Sequence, residues 1–302
     1  MRLLFILLCF LAFSNANACD ICGCSSGGLS GGLFPQFQNN LLGVRYAPSV
    51  FTHPRTPGNF NGLSQVNRDI YHDGEVFFRW FPKKKLQLWV NAPYRLRLRE
   101  ESLRTTLIQG LGDIQISGLY TLIQKDSSAF KWRHLLLAGG GVSLPTGKYQ
   151  QRDETLTILP VGFQVGTGSW SASANLLYML RIKSWGAVLQ GDFRSYSVNE
   201  RQFRKGNVTG AQATVFRQFN LGKSVRAFLN AGIRLEQLSA DEEFKNEKLN
   251  TGSKSSWFNA SIDFFVGSAL ISVQTQLPMS QDYAGNQPVP GVRNSLSFAW
   301  LW

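Results

Sequence analysis

The chain has 302 residues, 31 Lys and Arg against 19 Asp and Glu, a formal charge of +12, and 43% hydrophobic but only 17% charged residues. This length buries a large interior and excludes a disulfide-stapled miniprotein, and the apolar fraction excludes wholesale disorder. The basic balance suggests nucleic acid or an anionic surface, but the low charge density and the N-terminus argue against nucleic acid.

Residues 1–18 read as a secretory signal: Arg2 is the basic region, Leu3 to Phe13 the apolar stretch, and Ala16, Asn17 and Ala18 the small-residue cleavage site. Residues 19–39 follow as a Cys/Gly/Ser-rich periplasmic segment, a tether or a plug, ahead of a single unit over 40–302. No later stretch supplies 18 consecutive apolar residues, so no membrane-spanning helix is expected. An exported chain of this kind is either a soluble secreted protein or an outer-membrane β-barrel.

Strand periodicity separates the two. Leu296, Phe298, Trp300 and Trp302 share one face of the final segment, while Ser295, Ser297 and Ala299 share the other. The same alternation recurs over 86–99, 225–238 and 254–266. Strands are expected at 40–52, 70–81, 86–99, 111–123, 132–145, 169–180, 185–197, 207–219, 225–238, 254–266, 269–279 and 292–302. Their connections alternate between short turns (Pro82–Lys85, Gln124–Lys131, Arg181–Ser184, Asn220–Ser224, Gly267–Ser268) and long loops (His53–Asp69, Glu100–Gly110, Thr146–Gly168, Val198–Gly206, Ser239–Ser253, Ser280–Gly291). An up-and-down barrel with both termini periplasmic has this parity, and a Greek-key sandwich does not. The expected fold is therefore all-β: a transmembrane antiparallel barrel of about twelve strands. Thr155–Gly166 also has strand character and is read as an ordered part of a long outer loop, with fourteen strands as the alternative. The short turns carry +7 while the long loops nearly cancel, so the basic excess marks the periplasmic side.

Three short motifs recur in order: Gly110–Asp113 (GLGD) opening a strand, Val142–Gly147 (VSLPTG) closing the next, and Gly166–Trp170 (GTGSW) opening another. In this order the chain, from about Cys19 to Trp302, resembles the outer-membrane transporter-type barrels named for the MetA pathway of phenol degradation. Its Cys19–Cys24 segment (CDICGC) resembles a Bacteroidetes branch of such barrels. The resemblance implies a small barrel in the outer membrane of a Gram-negative bacterium that passes small molecules, and it carries no catalytic residues.

The alternation places Asp73, Glu75, Arg79, Arg95, Arg97, Arg99, Asp113, Asp192, Arg194, Arg226, Arg234, Glu236 and Asp263 in the lumen. Two readings stand: a net-basic passage whose Arg row favours anionic solutes, or an interior laced by Arg–carboxylate pairs that only satisfies the wall. Cys19, Cys22 and Cys24 suit a disulfide with a spare thiol, a soft Cu or Zn site lacking a local fourth ligand, or lipidation of Cys19. His53, His72 and His134 are the only histidines, and none stands in an evident Ser–His array, so an enzyme is not expected. Gly141–Lys148 imitates a phosphate loop, but its glycine spacing is one too long and Tyr149 stands where Ser or Thr is required. Trp80, Trp132, Trp170, Trp185, Trp257, Trp300 and Trp302 are expected in interfacial girdles, with Trp89 facing the lumen.

The sequence thus points to a porin-like channel or transporter for a small solute. A soft-metal-handling protein and a closed structural barrel are the alternatives. Expected partners are outer-membrane lipid and lipopolysaccharide, and the barrel assembly machinery through the C-terminal strand.

Overall fold

The computed structural model describes residues 39–53, 68–101, 104–127, 132–153, 156–222, 224–285 and 287–302. The signal over 1–18, the segment from Cys19 to Gln38, and all three clustered cysteines lie outside the described residues.

The strands are β1 (Leu41–Thr52), β2 (Arg68–Lys83), β3 (Leu86–Glu101), β4 (Arg104–Leu111), β5 (Ile114–Ser127), β6 (Trp132–Leu144), β7 (Ser171–Ile182), β8 (Trp185–Tyr196), β9 (Phe203–Arg204) and β10 (Val208–Asn220). They continue as β11 (Val225–Leu238), β12 (Glu242–Glu243), β13 (Asn246–Glu247), β14 (Ser253–Val266), β15 (Ala269–Tyr283), β16 (Val289–Pro290) and β17 (Arg293–Leu301). One 14-stranded sheet takes in all but β9, β12 and β13, and it closes on itself because β1 pairs with both β2 and β17. With β4 and β5 counted as one interrupted strand and the short β16 set aside, the wall has twelve strands, each antiparallel to its neighbours.

Each expected strand window falls on a wall strand. One connection differs most. The long loop expected over Glu100–Gly110 is largely strand, because β3 and β4 continue as a hairpin paired from Tyr94↔Leu111 to Glu101↔Arg104. Thr106 and Ile108 are buried and Leu107 is exposed, so the β-branched run there keeps a strand's alternation beyond the neighbouring β6. Of the segment Thr155–Gly166, the described residues 156–166 are not a wall strand: they belong to an ordered outer loop with a 3-10 turn at Val161–Phe163.

Side chains sort by strand face. Leu42, Val44, Leu176, Leu189, Leu229, Leu296 and Phe298 point outward and are exposed, a pattern that costs free energy in water and is satisfied by lipid. Trp80, Trp170, Trp185, Trp300 and Trp302 are outward at strand ends, where amphipathic rings settle at the headgroups. Trp257 departs from the expected girdle. It is fully buried between the inward-facing Ser255 and Asn259 of β14, and belongs to the interior.

Turn chemistry fixes the short connections. The β14–β15 turn has Gly267 at φ +58, a left-handed conformation that suits a residue without Cβ. Pro278 in β15 cannot donate to the ladder, and the register shifts at Ser256/Trp257, where Trp257 pairs with Pro278.

Candidate functional site: a clamped loop above an ion-paired lumen

The site begins with a local irregularity in the wall. β3 pairs with β5 up to Asn91↔Gln115 and with β4 from Tyr94↔Leu111, so the β4–β5 side carries one extra residue. Pro93 sits opposite the break, lacks an N–H, and accepts Gly112 N at 2.8 Å. The bulge re-aims Asp113 away from an ordinary wall position.

Asp113 is the hub of a clamp. Its Oδ1 accepts Gly147 N at 3.0 Å, and its Oδ2 accepts Thr167 N at 2.9 Å and Thr167 Oγ1 at 2.7 Å. Thr146 Oγ1 donates to Gly112 O and accepts Ile114 N, tying the next strand end to the same bulge. The three sequence motifs therefore converge on one carboxylate. At this neck Gly147 and Gly166 touch backbone to backbone: a Cβ on Gly166 would lie 2.5 Å from the carbonyl of Gly147.

From the neck the loop folds toward the lumen. Leu159, Phe163 and Val165 are buried against Phe51, Tyr71 and Ile108, and Tyr71 Oη donates to Gly162 O. Gln164 stitches the loop internally, its Nε2 donating to Gln151 O and Leu159 O. From the connection after β8, Asn199 Nδ2 reaches Tyr149 Oη at 2.7 Å.

The inward face of β2 and β3 carries the Arg row, and each member has its own job. Arg95 Nη1 donates to Val165 O at 2.8 Å and so holds the inward loop. Arg97 pairs with Asp73 at 2.6 Å and stacks over Tyr71 at 3.9 Å. Arg99 makes a two-pronged contact with Asp69, both bonds 2.7 Å, and lies over Phe163. Glu75 pairs with Arg45 at 3.2 Å. Asp69 and Arg45 have no place among the candidates that the sequence offers. Asp69 falls on the strand when β2 starts at Arg68, and Arg45 alternates with Val44 and Tyr46 on β1.

Across the lumen, Arg234 bridges Asp192 at 2.9 Å and Glu236 at 2.8 Å, and Glu236 also takes Arg293 at 3.1 Å. Arg194 donates to Gln115, and Asp263 accepts Asn230 Nδ2 and Ser272 Oγ. Arg226 stands at the periplasmic mouth, exposed, over the Phe265 ring. Arg79 is fully buried near the same end, donating to Asn39 O and flanked by Phe81 and Trp89.

Below the ion pairs lies an apolar ring. Phe77, Leu119, Leu137, Leu177, Phe216 and Phe228 are inward-facing, at most 1% exposed, and part of one cluster. Their signal in the sequence is a lapse of alternation near the periplasmic strand ends, in Phe77–Phe78, Leu135–Leu137 and Ala227–Leu229, where apolar residues occupy both faces.

The histidines lie apart from one another. His72 Nδ1 meets Tyr46 Oη and His134 Nδ1 meets Tyr178 Oη, both on the outer face, while His53 lies 3.3 Å from Asp69.

A closed antiparallel barrel with an apolar outer belt and a polar, ion-paired interior defines the class of transmembrane outer-membrane β-barrels. Comparison of folds agrees. The chain is similar to an outer membrane channel from Pseudomonas putida F1, with a TM-score of 0.64 at 15% identity over 88% of this chain and 96% of that one. Looser matches are the β domain of the Bordetella autotransporter BrkA, TM-score 0.46 at 8% identity over 88% of this chain and all of that one, and LpxR from Salmonella typhimurium, TM-score 0.41 at 8% identity over 87% and all of that one. No family model matches the chain, and no curated protein matches it by sequence.

Proposed function

We propose that the protein passes a small solute across the outer membrane, through a lumen narrowed from the outside by the loop over 147–166. The observation that carries this reading is the clamp itself. A carboxylate, two backbone N–H groups and a threonine hydroxyl fix the neck of a loop that turns into the barrel mouth. A loop anchored at its neck and held on the inner wall by Arg95 constricts a passage. The fold's likeness to the Pseudomonas outer membrane channel supports the same reading.

The Arg row bears on selectivity. Arg97, Arg99 and Arg234 each have a carboxylate partner. Such paired charges orient dipoles along the wall more than they present free positive charge. The apolar ring below them suits a constriction that gates by dewetting. That ring also favours a second reading, a closed barrel with a structural role, because its side chains are withdrawn from solvent.

Planar-bilayer recording on the purified full chain decides between them. The passage reading expects discrete conductance steps and solute flux from reconstituted vesicles. A folded barrel without either overturns it and leaves the closed barrel.

A further inference from the structure

The inner wall formed by β8, β10, β11, β14 and β15 carries a group of uncharged amides that the ion pairs do not use. Gln190 lies opposite Gln212, and Asn259 lies opposite Gln276. Asn230 is on the inward face of β11, between Phe228 and Gly232. Gln190, Asn230 and Asn259 are all more than nine-tenths buried. Among the described residues Asn259 has a partner for neither Nδ2 nor Oδ1, and Gln190 Nε2, Gln212 Oε1 and Asn230 Oδ1 also lack one.

These side chains are not loosely held. Asn230 Nδ2 donates to Ser261 Oγ and to Asp263 Oδ2, both at 2.9 Å, and Gln212 Nε2 donates to Thr214 Oγ1 at 3.0 Å. One end of each of these two amides is therefore fixed while the other has no partner. The neighbouring charges are matched, Arg234 by Asp192 and Glu236, and Glu236 by Arg293. Burying a polar atom without a partner forfeits its hydration with no return, so packing alone does not favour several on one wall.

We propose that this amide wall is a recognition subsite for an uncharged small molecule that both donates and accepts hydrogen bonds, such as a polyol or a short saccharide. The proposal rests on the solute-passage reading above and names its substrate class. The chemistry of the unpaired atoms carries it: two are donors and three are acceptors. A hydroxyl gives one hydrogen bond and takes others, so a polyol meets both kinds. An anion supplies acceptors alone and leaves Gln212, Asn230 and Asn259 carbonyls unmet. A cation fails in the opposite sense. Rotating the Asn259 amide by half a turn exchanges its two atoms and leaves the mixture unchanged. Recognition is by hydrogen bonding, not by ring stacking, because the Arg293 guanidinium already lies 3.8 Å over the nearby Trp257 ring.

The test uses the full-length barrel in planar bilayers, with arabinose as the neutral probe and potassium chloride as the charge carrier. Arabinose is expected to lower the chloride-salt conductance saturably in the native protein. Asn259→Leu is expected to raise the half-blocking concentration at least about fivefold, the loss of one or both of its hydrogen bonds to the solute. Gln190→Met reads the same effect should Asn259→Leu not assemble. A half-blocking concentration that both variants leave unchanged overturns the subsite, as does an equal change in salt conductance. A native barrel that conducts but ignores arabinose overturns the subsite alone, whereas one that neither conducts nor passes arabinose overturns the passage reading itself.

Discussion

Asp113 and Thr167 are joined twice: the threonine's backbone N–H and its hydroxyl both donate to the same carboxylate oxygen, at 2.9 and 2.7 Å. Their separation in sequence spans the whole of β5, β6 and the inward loop. The contact therefore reports on the loop's position and on little else.

Asp113→Ala removes every acceptor of the clamp at once. Hydrogen bonds to a charged group are the stronger kind, so the neck is expected to loosen by about 2–3 kcal/mol. Limited proteolysis of the folded barrel should then cut within 147–166, while the wall strands stay resistant. An unaltered cleavage pattern would show that the buried contacts of Phe163 and Val165 hold the loop without the clamp.

Gly166→Ala probes the same neck sterically. Its Cβ would stand 2.5 Å from both the carbonyl carbon and oxygen of Gly147, and backbone cannot swing aside as a side chain can. Gly191→Ala is the control, since its Cβ would meet nothing within 4 Å. The first variant is expected to change single-channel conductance and its noise, and the second to leave both as they are.

The Arg99–Asp69 pair is buried on the carboxylate side, with Asp69 wholly inaccessible. Arg99→Ala strands that charge and is expected to destabilise the barrel by about 3–5 kcal/mol. Asp69→Asn in the same chain should recover part of the loss, because the remaining group is neutral. A double-mutant cycle on the temperature at which the folded band disappears from unheated gels reads the coupling. Additive effects would assign the pair no mutual stabilisation.

Phe216 lies over Gly186, where a Cβ would be 2.2 Å from its ring. Phe216→Ala opens the apolar ring and is expected to cost about 3–5 kcal/mol of stability. It should also raise conductance, since a wider, wetter constriction passes ions more easily. Lower stability with unchanged conductance would place the narrowest point elsewhere.

The outer loops offer a pH test. Burial pushes the Asp241 carboxyl above its ordinary value of 3.8, against the opposing pull of the Gly206 N–H at 2.8 Å and of Lys205 and Lys248. The folded loop therefore keeps its proton when the unfolded one has released it. Local stability is expected to fall as pH rises from 3.8 through the elevated value, and to level off above it. Amide exchange at residues 203–206 and 241–248 measures this, and Asp241→Asn should flatten the dependence.

Much of the wall is legible in the sequence because lipid outside and polar lumen inside force a two-residue period on each strand. That period alone places Arg95, Arg97 and Arg99 inward. Their partners are harder to read. Asp69 reads as a loop residue because a charged residue beside Arg68 looks like a turn, and only the ladders with Phe51 and Arg99 draw it into the strand. The three glycine motifs are visible singly, but no periodicity links Asp113 to Gly147 and Thr167, which meet only through the bulge opposite Pro93. Trp257 is misplaced by its nearness to a strand end, which masks its parity with Asn259. The apolar ring escapes for a related reason: Phe77, Phe216 and Phe228 resemble lipid-facing residues in type and differ from them only in position along the strand.

The closing seam has a kinetic consequence. β1 pairs with β17 from Leu41↔Leu301 to Tyr46↔Leu296, and across it Arg45 bonds Ser297, 252 positions away. Until that encounter the sheet has two open edges, each a row of unpaired amides and carbonyls able to recruit a foreign strand. Loop-closure entropy makes such a distant encounter slow. The seam is thus where the nascent protein spends longest at risk of aggregation, and a proline at Val44 or Phe298 should trap it there.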